Sequence, residues 1–126
     1  MGLAAPGTVG SRAEKQAEDY LARRGLRQVA RNFHRRGGEI DLIMLDHDCL
    51  VFVEVRYRKS TRFVTPATSV DARKQRKIIR TAALFLARNT RYANRTMRFD
   101  VVAITGDDQS QVQWVQDAFR PADSTL

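Results

Sequence analysis

Residues 39–56, EIDLIMLDHDCLVFVEVR, constrain the fold more than any other part of this chain. Two apolar runs flank the polar pair His47-Asp48, which is the pattern of a β-hairpin. With the turn centred there, residues whose numbers sum to 95 lie opposite each other. Leu45 then faces Leu50, Ile43 faces Phe52, Asp41 faces Glu54 and Glu39 faces Arg56. One face of the hairpin becomes Ile40, Leu42, Met44, Val51, Val53 and Val55, wholly apolar. The other is apolar near the turn and carries Glu39, Asp41, Glu54 and Arg56 at its far end. A slip of one residue would mix acids with valines, so the register is strongly specified.

In this register the Asp41 and Glu54 Cβ atoms stand roughly 5 Å apart. Two carboxylates that close repel, and in a partly desolvated place they need a cation or a shared proton. Two or three hard oxygens with room for water are what Mg²⁺ or Mn²⁺ takes from a protein. The alternative is a salt-bridged patch on a solvated edge, with Glu39 and Arg56 completing it.

The remaining chain reads as one α/β domain spanning 1–126, with 1–10 and 120–126 expected as flexible tails. Residues 11–24 space Ala13, Ala17, Tyr20 and Leu21 as a helix does, and Gly25 follows as its cap. Residues 26–33 form a short strand, and the glycines of HRRGGE turn the chain into the hairpin. Residues 59–69, with Pro66, make a loop of the kind that sits over a site. Residues 70–89 form the longest helical pattern, with Ile78, Ala82, Phe85 and Leu86 inward and Arg73, Arg76, Lys77, Arg80 and Arg88 mostly outward. Strands follow at 97–105 and 111–115, joined by the turn GDDQS. The single Cys49 suits a reducing cytoplasm, and neither a signal peptide nor a membrane span is expected.

Five blocks in order carry a resemblance: AEKQAEDYLARRGL at 13–26, ARNFHRRGGEIDLI at 30–43, VFVEVRYR at 51–58, KQRKIIRTAALFLA at 74–87 and RFDVVAI at 98–104. Together they resemble the UPF0102 (YraN-type) bacterial proteins. That resemblance implies the restriction-endonuclease-like PD-(D/E)XK fold, a central mixed β-sheet flanked by α-helices, close to archaeal Holliday-junction resolvases. It further implies that Asp41 and Glu54 are the metal-binding acids and that the Val55 carbonyl is a further ligand of Mg²⁺ or Mn²⁺. Glu14 matches the helical acid of resolvase-like members, and Ala17 and Leu21 at +3 and +7 put it beside the buried face. Arg56 stands where the nuclease motif has Lys. Arg keeps its proton, so it holds phosphate or developing charge and cannot act as a base.

Lys and Arg number 22 against 14 acids, a net charge of +8, and Arg suits bidentate contact with phosphate. Arg31, Arg35 and Arg36 precede the site, and Arg73, Lys74 and Lys77 crowd the start of the second helix. Gln75 matches the glutamine of some resolvase-like nucleases. These residues are the expected nucleic-acid surface, a solvated helix face being the alternative. His34 and His47 are expected in solvent, and Trp114 in the core. The function expected is metal-dependent hydrolysis of DNA, branched or structured DNA included. A module that binds nucleic acid without cleaving it and an adaptor for an acidic protein are the rivals. A homodimer is left open.

Overall fold

The computed structural model describes residues 9–59, 68–106 and 111–121. Helix α1 (Val9–Arg23) leads into strands β1 (Arg27–Arg35), β2 (Gly38–Asp46) and β3 (Cys49–Arg58). Helix α2 (Ala72–Arg88), a short 3₁₀ turn, and strands β4 (Met97–Thr105) and β5 (Gln111–Phe119) complete the chain. The five strands lie in sequence order, with β3 and β4 parallel and the other neighbours antiparallel. This is the expected α/β class, a mixed sheet with a helix on each face. No helix among the described residues is long and apolar enough to cross a membrane.

Each helix covers the face its sequence pattern predicts. Ala13, Ala17 and Leu21 of α1, each fully buried, pack on Leu42, Met44, Val51 and Val53. The helix ends in a Schellman motif: Gly25 has φ +95°, Leu26 N–H donates to Leu21 O at 3.1 Å, and Gly25 N–H donates to Ala22 O at 3.0 Å. On the other face Ile78, Ile79, Ala82 and Phe85 of α2 pack on Ile43, Leu45, Leu50 and Phe52. The predicted helix start at residue 70 moves to Ala72, because Asp71 is the N-cap and accepts from Lys74 N–H at 2.8 Å.

The hairpin follows the expected register at five pairs, from Asp46–Cys49 to Leu42–Val53, and then the ladder ends. Ile40 departs from expectation. It packs on the α2 face with Ile43 and Leu45 instead of beside Leu42. The cause lies one strand away, where Asn32 of β1 adopts φ +50° between the pairs Arg31–Leu42 and Phe33–Ile40. A left-handed residue interrupts the pleat. Arg31 therefore reaches Glu18 of α1 while Phe33 packs against the α2-side core. Asp41 occupies the facing position on β2.

Strand β5 runs on to Phe119, four residues past its predicted end at 115. A register shift between Phe99 and Val101, together with Asp117 at φ +54°, hides the continuation from a period-two pattern. Phe119 then stacks on Phe99 with ring centroids 5.1 Å apart. Residues 9 and 10, expected in a tail, open α1. The rest of both predicted tails beyond residues 120–121, most of the 59–69 loop and most of the GDDQS turn lie outside the described residues.

The start of β2 abuts α2 at Gly38. A Cβ there would collide with Thr81 Oγ1 and approach the Lys77 carbonyl oxygen to 3.2 Å. Thr81 cannot swing clear without breaking its own 2.8 Å bond to that carbonyl. Gly38→Ala is therefore expected to destabilise the fold by about 1–3 kcal/mol, the usual cost of overpacking. A urea midpoint equal to that of the wild type would show that the strand and helix slide apart freely.

Candidate functional site

Where the ladder between β2 and β3 opens, a side chain replaces the missing backbone bond. Asp41 Oδ2 accepts the Val55 N–H at 2.8 Å. Asp41 and Glu54 thus come together as expected, but through a splayed pair of strands and not as ladder partners. Val55 N–H points at Asp41, and a strand residue turns its N–H and C=O to the same neighbour. The Val55 carbonyl consequently faces the same opening. Glu14 of α1 closes the site from one side, hydrogen-bonded to the Asn32 side chain.

The expected Glu39–Arg56 pairing does not form. Glu39 lies opposite His34 on β1, and Arg56 Nη1 donates to the Ser69 carbonyl at 2.5 Å. Arg56 ties the end of β3 to the residues leading into α2. Gln75 does a similar thing, donating to the Val70 carbonyl at 2.7 Å.

The cation that meets the acids is Lys74. Its Nζ lies 2.7 Å from Glu54 Oε2, and Glu54 keeps only 6% of its side-chain exposure. The sequence places Lys74, at the third position of α2, among phosphate-binding residues only. No spacing rule links residues 54 and 74, so sequence reasoning had no signal for this contact. Asn32 was missed as well, although an Asn inside a strand pattern is itself a sign of an irregular backbone.

Burial and like charges set the electrostatics of the acids. Burial, then the charge of Glu54, then those of Glu14 and Glu39 push the Asp41 carboxyl well above its usual range, and the Val55 N–H only partly offsets them. Asp41 keeps some solvent contact by surface area, yet protein atoms crowd its carboxylate, and crowding governs its charging. Burial likewise raises Glu14, against the opposing pull of Asn32 and Arg31. Burial pulls Lys74 down, but its bond to Glu54 and the charges of Glu54 and Asp41 outweigh that, so it is held more firmly protonated.

A hard divalent cation fits this chemistry. Among the described residues no three carboxylate, imidazole or thiolate groups gather to share an ion. The oxygens that could hold one are those of Asp41, Glu54 and the Val55 carbonyl, with waters completing the shell as Mg²⁺ prefers. The Lys74 ammonium already stands in for part of that charge.

A cleft of about 600 Å³, joined to Glu54 through Lys74, is lined by His34, Arg35, Arg73, Lys74 and Lys77 together with Glu39 and Asp71. Four of the residues expected to meet phosphate are thus brought together. Arg35 is partly committed, its guanidinium over the Phe33 ring at 4.5 Å and its Nη1 donating to the His34 carbonyl at 2.8 Å. Arg31 lies apart, 3.7 Å from Glu18, and Arg36 is exposed on the turn outside the cleft. His34 and His47 are exposed as expected. Trp114 is half-buried, edge-on to Tyr20 at 6.4 Å, with its indole N–H on Asp100 at 2.9 Å.

Glu14, Asn32, Asp41, Glu54 and Lys74 all fall within residues 13–104, which match the family described as "Uncharacterised protein family UPF0102". A UPF0102 protein of Pseudomonas putida is 45% identical over 121 residues, covering 94% of this chain and 98% of the relative. One from Saccharophagus degradans is 51% identical over 110 residues, covering 87% of this chain and 91% of the relative. Another, from Alcanivorax borkumensis, is 49% identical over 112 residues, with 87% and 90% covered. A match of this extent and identity makes the chain a member of the UPF0102 family.

Proposed function

We propose that this protein is a metal-dependent nuclease of the restriction-endonuclease-like, PD-(D/E)XK type, acting on DNA, branched or structured DNA included, in the cytoplasm. The observation that carries this reading is the crowding of Asp41 and Glu54, with Lys74 reaching from Glu54 to the wall of a basic cleft. Acids alone would repel a polyanion. Acids that bind a divalent cation, flanked by bases, create a place where a phosphodiester is attracted and polarised. The mixed sheet with a helix on each face supports the same reading.

Mg²⁺ or Mn²⁺, when bound, supplies Lewis-acid activation of water and neutralises charge on the phosphate. Asp41, oriented by the Val55 N–H, and Glu54 would hold that ion with the Val55 carbonyl. Glu14, fixed by Asn32, adds negative charge from α1 and orients water. Arg73 and Lys77 draw the backbone of the nucleic acid into the cleft. Arg56 fixes the approach to α2 through Ser69. Neither it nor Lys74 is a general base: Arg56 keeps its guanidinium proton, and Lys74 is held protonated by the anion beside it, which is Glu54 in this structure. Proton removal from the attacking water falls to solvent or to a substrate phosphate.

The same occupation of Glu54 by Lys74 favours a second reading, a protein that binds nucleic acid and cleaves nothing. Incubation with single-stranded, duplex, flap and four-way-junction DNAs in Mg²⁺, Mn²⁺ or EDTA separates the two. Cleavage in either metal and none in EDTA is expected; binding without cleavage on every substrate would leave the second reading standing. Replacing Arg73 and Lys77 together with Ala should weaken binding to all sequences alike. It should also flatten the dependence of log K on log salt by about two units, roughly one for each phosphate that is no longer neutralised. An unchanged slope would put the binding face elsewhere.

A further inference from the structure

Lys74 belongs to two places at once. Its ammonium pairs with Glu54 at 2.7 Å, and its side chain also lines the basic cleft. Its backbone is fixed, because Lys74 N–H donates to the Asp71 cap at 2.8 Å. Its side chain is half exposed at 50%, while Glu54 keeps 6%. A buried carboxylate cannot be left without a cation at small cost, whereas a half-exposed lysine on a four-carbon stem can turn into solvent or onto another anion.

We infer that Lys74 is an exchange residue: it neutralises Glu54 when no divalent cation is present, and gives up that place to the metal and takes a phosphate of the nucleic acid in the cleft instead. A divalent ion bound to Glu54 supplies the charge that the ammonium had supplied, and repels the ammonium from a carboxylate already satisfied. The displaced ammonium still lies at the wall of the cleft, beside Arg73 and Lys77. Metal and polyanion binding are then linked positively, since each favours the same position of one side chain. This rests on the nuclease reading above for its two ligands and adds a share of their coupling that Lys74 carries, beyond the attraction of the bound ion itself for phosphate.

The test uses the full chain, a labelled duplex of about 30 base pairs, and Ca²⁺ or EDTA at matched ionic strength. Added divalent ions ordinarily weaken binding to DNA by competing for its phosphates. The wild type is expected to bind about tenfold more tightly in Ca²⁺ than in EDTA, a coupling of ordinary allosteric size. Lys74→Met should keep only a smaller gain, the part that comes from the bound ion itself. Without DNA, Lys74→Met should bind Mn²⁺ more tightly than the wild type, read from the signal of free Mn²⁺ in electron paramagnetic resonance. Lys74→Arg, which keeps the charge and grips a carboxylate with two donors, should bind Mn²⁺ more weakly, and this arm stands even where the Met variant fails to fold. The exchange is overturned where Ca²⁺ changes DNA affinity equally in wild type and variants. It is also overturned where Mn²⁺ affinity is the same in all three proteins. DNA and metal both bound without coupling sinks the exchange alone, whereas wild type that binds no Mn²⁺ at all sinks the metal reading with it.

Discussion

Asp41→Asn is expected to lose metal-dependent cleavage by more than about a hundredfold, the scale of removing one pre-placed polar group from a catalytic site. The same change should leave the metal-free protein at least as stable as the wild type, by up to about 1 kcal/mol. The two effects have one cause, the charge that burial and Glu54 oppose on Asp41. An asparagine oxygen still accepts the Val55 N–H, so the splayed end of the hairpin keeps its hydrogen bond.

The pH dependence has a definite sign. The unfolded chain releases the Asp41 proton near pH 3.9, about the ordinary value, while the folded chain holds it to higher pH. Between those two values the folded state binds more protons, so stability falls as pH rises through the window. Glu14 adds to the fall with the same sign. Asp46 acts oppositely: its bond to Arg98 holds its pKa down, so its contribution is present above about pH 4 and is lost as pH falls through the lower folded value. Subtracting the two melting curves cancels Asp46, which does not interact with Asp41, and leaves Asp41 together with the part of Glu14 that its charge influences. In EDTA the Asn variant should gain on the wild type as pH rises from about 4 to neutrality. At metal concentrations about tenfold above Kd the wild type should recover about 1.4 kcal/mol that the variant does not. A wild type whose midpoint ignores millimolar Mg²⁺ and Mn²⁺, beside a variant clearly less stable in EDTA, would make Asp41 a structural acceptor and remove the metal site.

How much of this was legible follows from the range of the interactions. The register from Leu45–Leu50 to Leu42–Val53 was legible because a one-residue slip would bury acids, a penalty written into every position. The helix faces were legible for the same reason, with Ala13, Ala17, Leu21, Ile78, Ala82 and Phe85 all buried where their spacing put them. The face of Ile40 was not, because it depends on the backbone of Asn32 in a neighbouring strand. Extending a perfect pleat through Asp41 therefore made neighbours of Asp41 and Glu54, as they are, but with the wrong geometry. The Lys74–Glu54 contact depends on how α2 crosses the sheet, which no local pattern encodes. Basic residues of α2 looked alike in sequence, and only packing places Lys74, exposed like Arg76 and Arg80, within reach of Glu54.

Asp100→Ala should be the most destabilising single change away from the site, at about 3–5 kcal/mol, the cost of breaking a buried charged network from one side. Asp100 is fully buried and accepts from three donors: the single Arg98 Nε–H, shared between its two oxygens at 3.0 and 3.1 Å, Trp114 Nε1–H at 2.9 Å and Asp117 N–H at 2.9 Å. Arg98 continues the network to Asp46 at 2.9 Å, at the turn end of the hairpin. Truncation leaves a guanidinium, an indole N–H and a backbone N–H without their acceptor, and the register shift that carries β5 to Phe119 loses the bond at Asp117. None of these groups touches Glu54 or Lys74. The loss should therefore appear in the urea midpoint, while Mn²⁺ affinity per folded molecule in the absence of denaturant stays that of the wild type. Two results would count against this division of labour: a midpoint lowered by less than about 1 kcal/mol, which would mean that water replaces the carboxylate, or a fall in metal affinity in the folded fraction, which would mean that β4 sets the position of Glu54 through its parallel partner Val101.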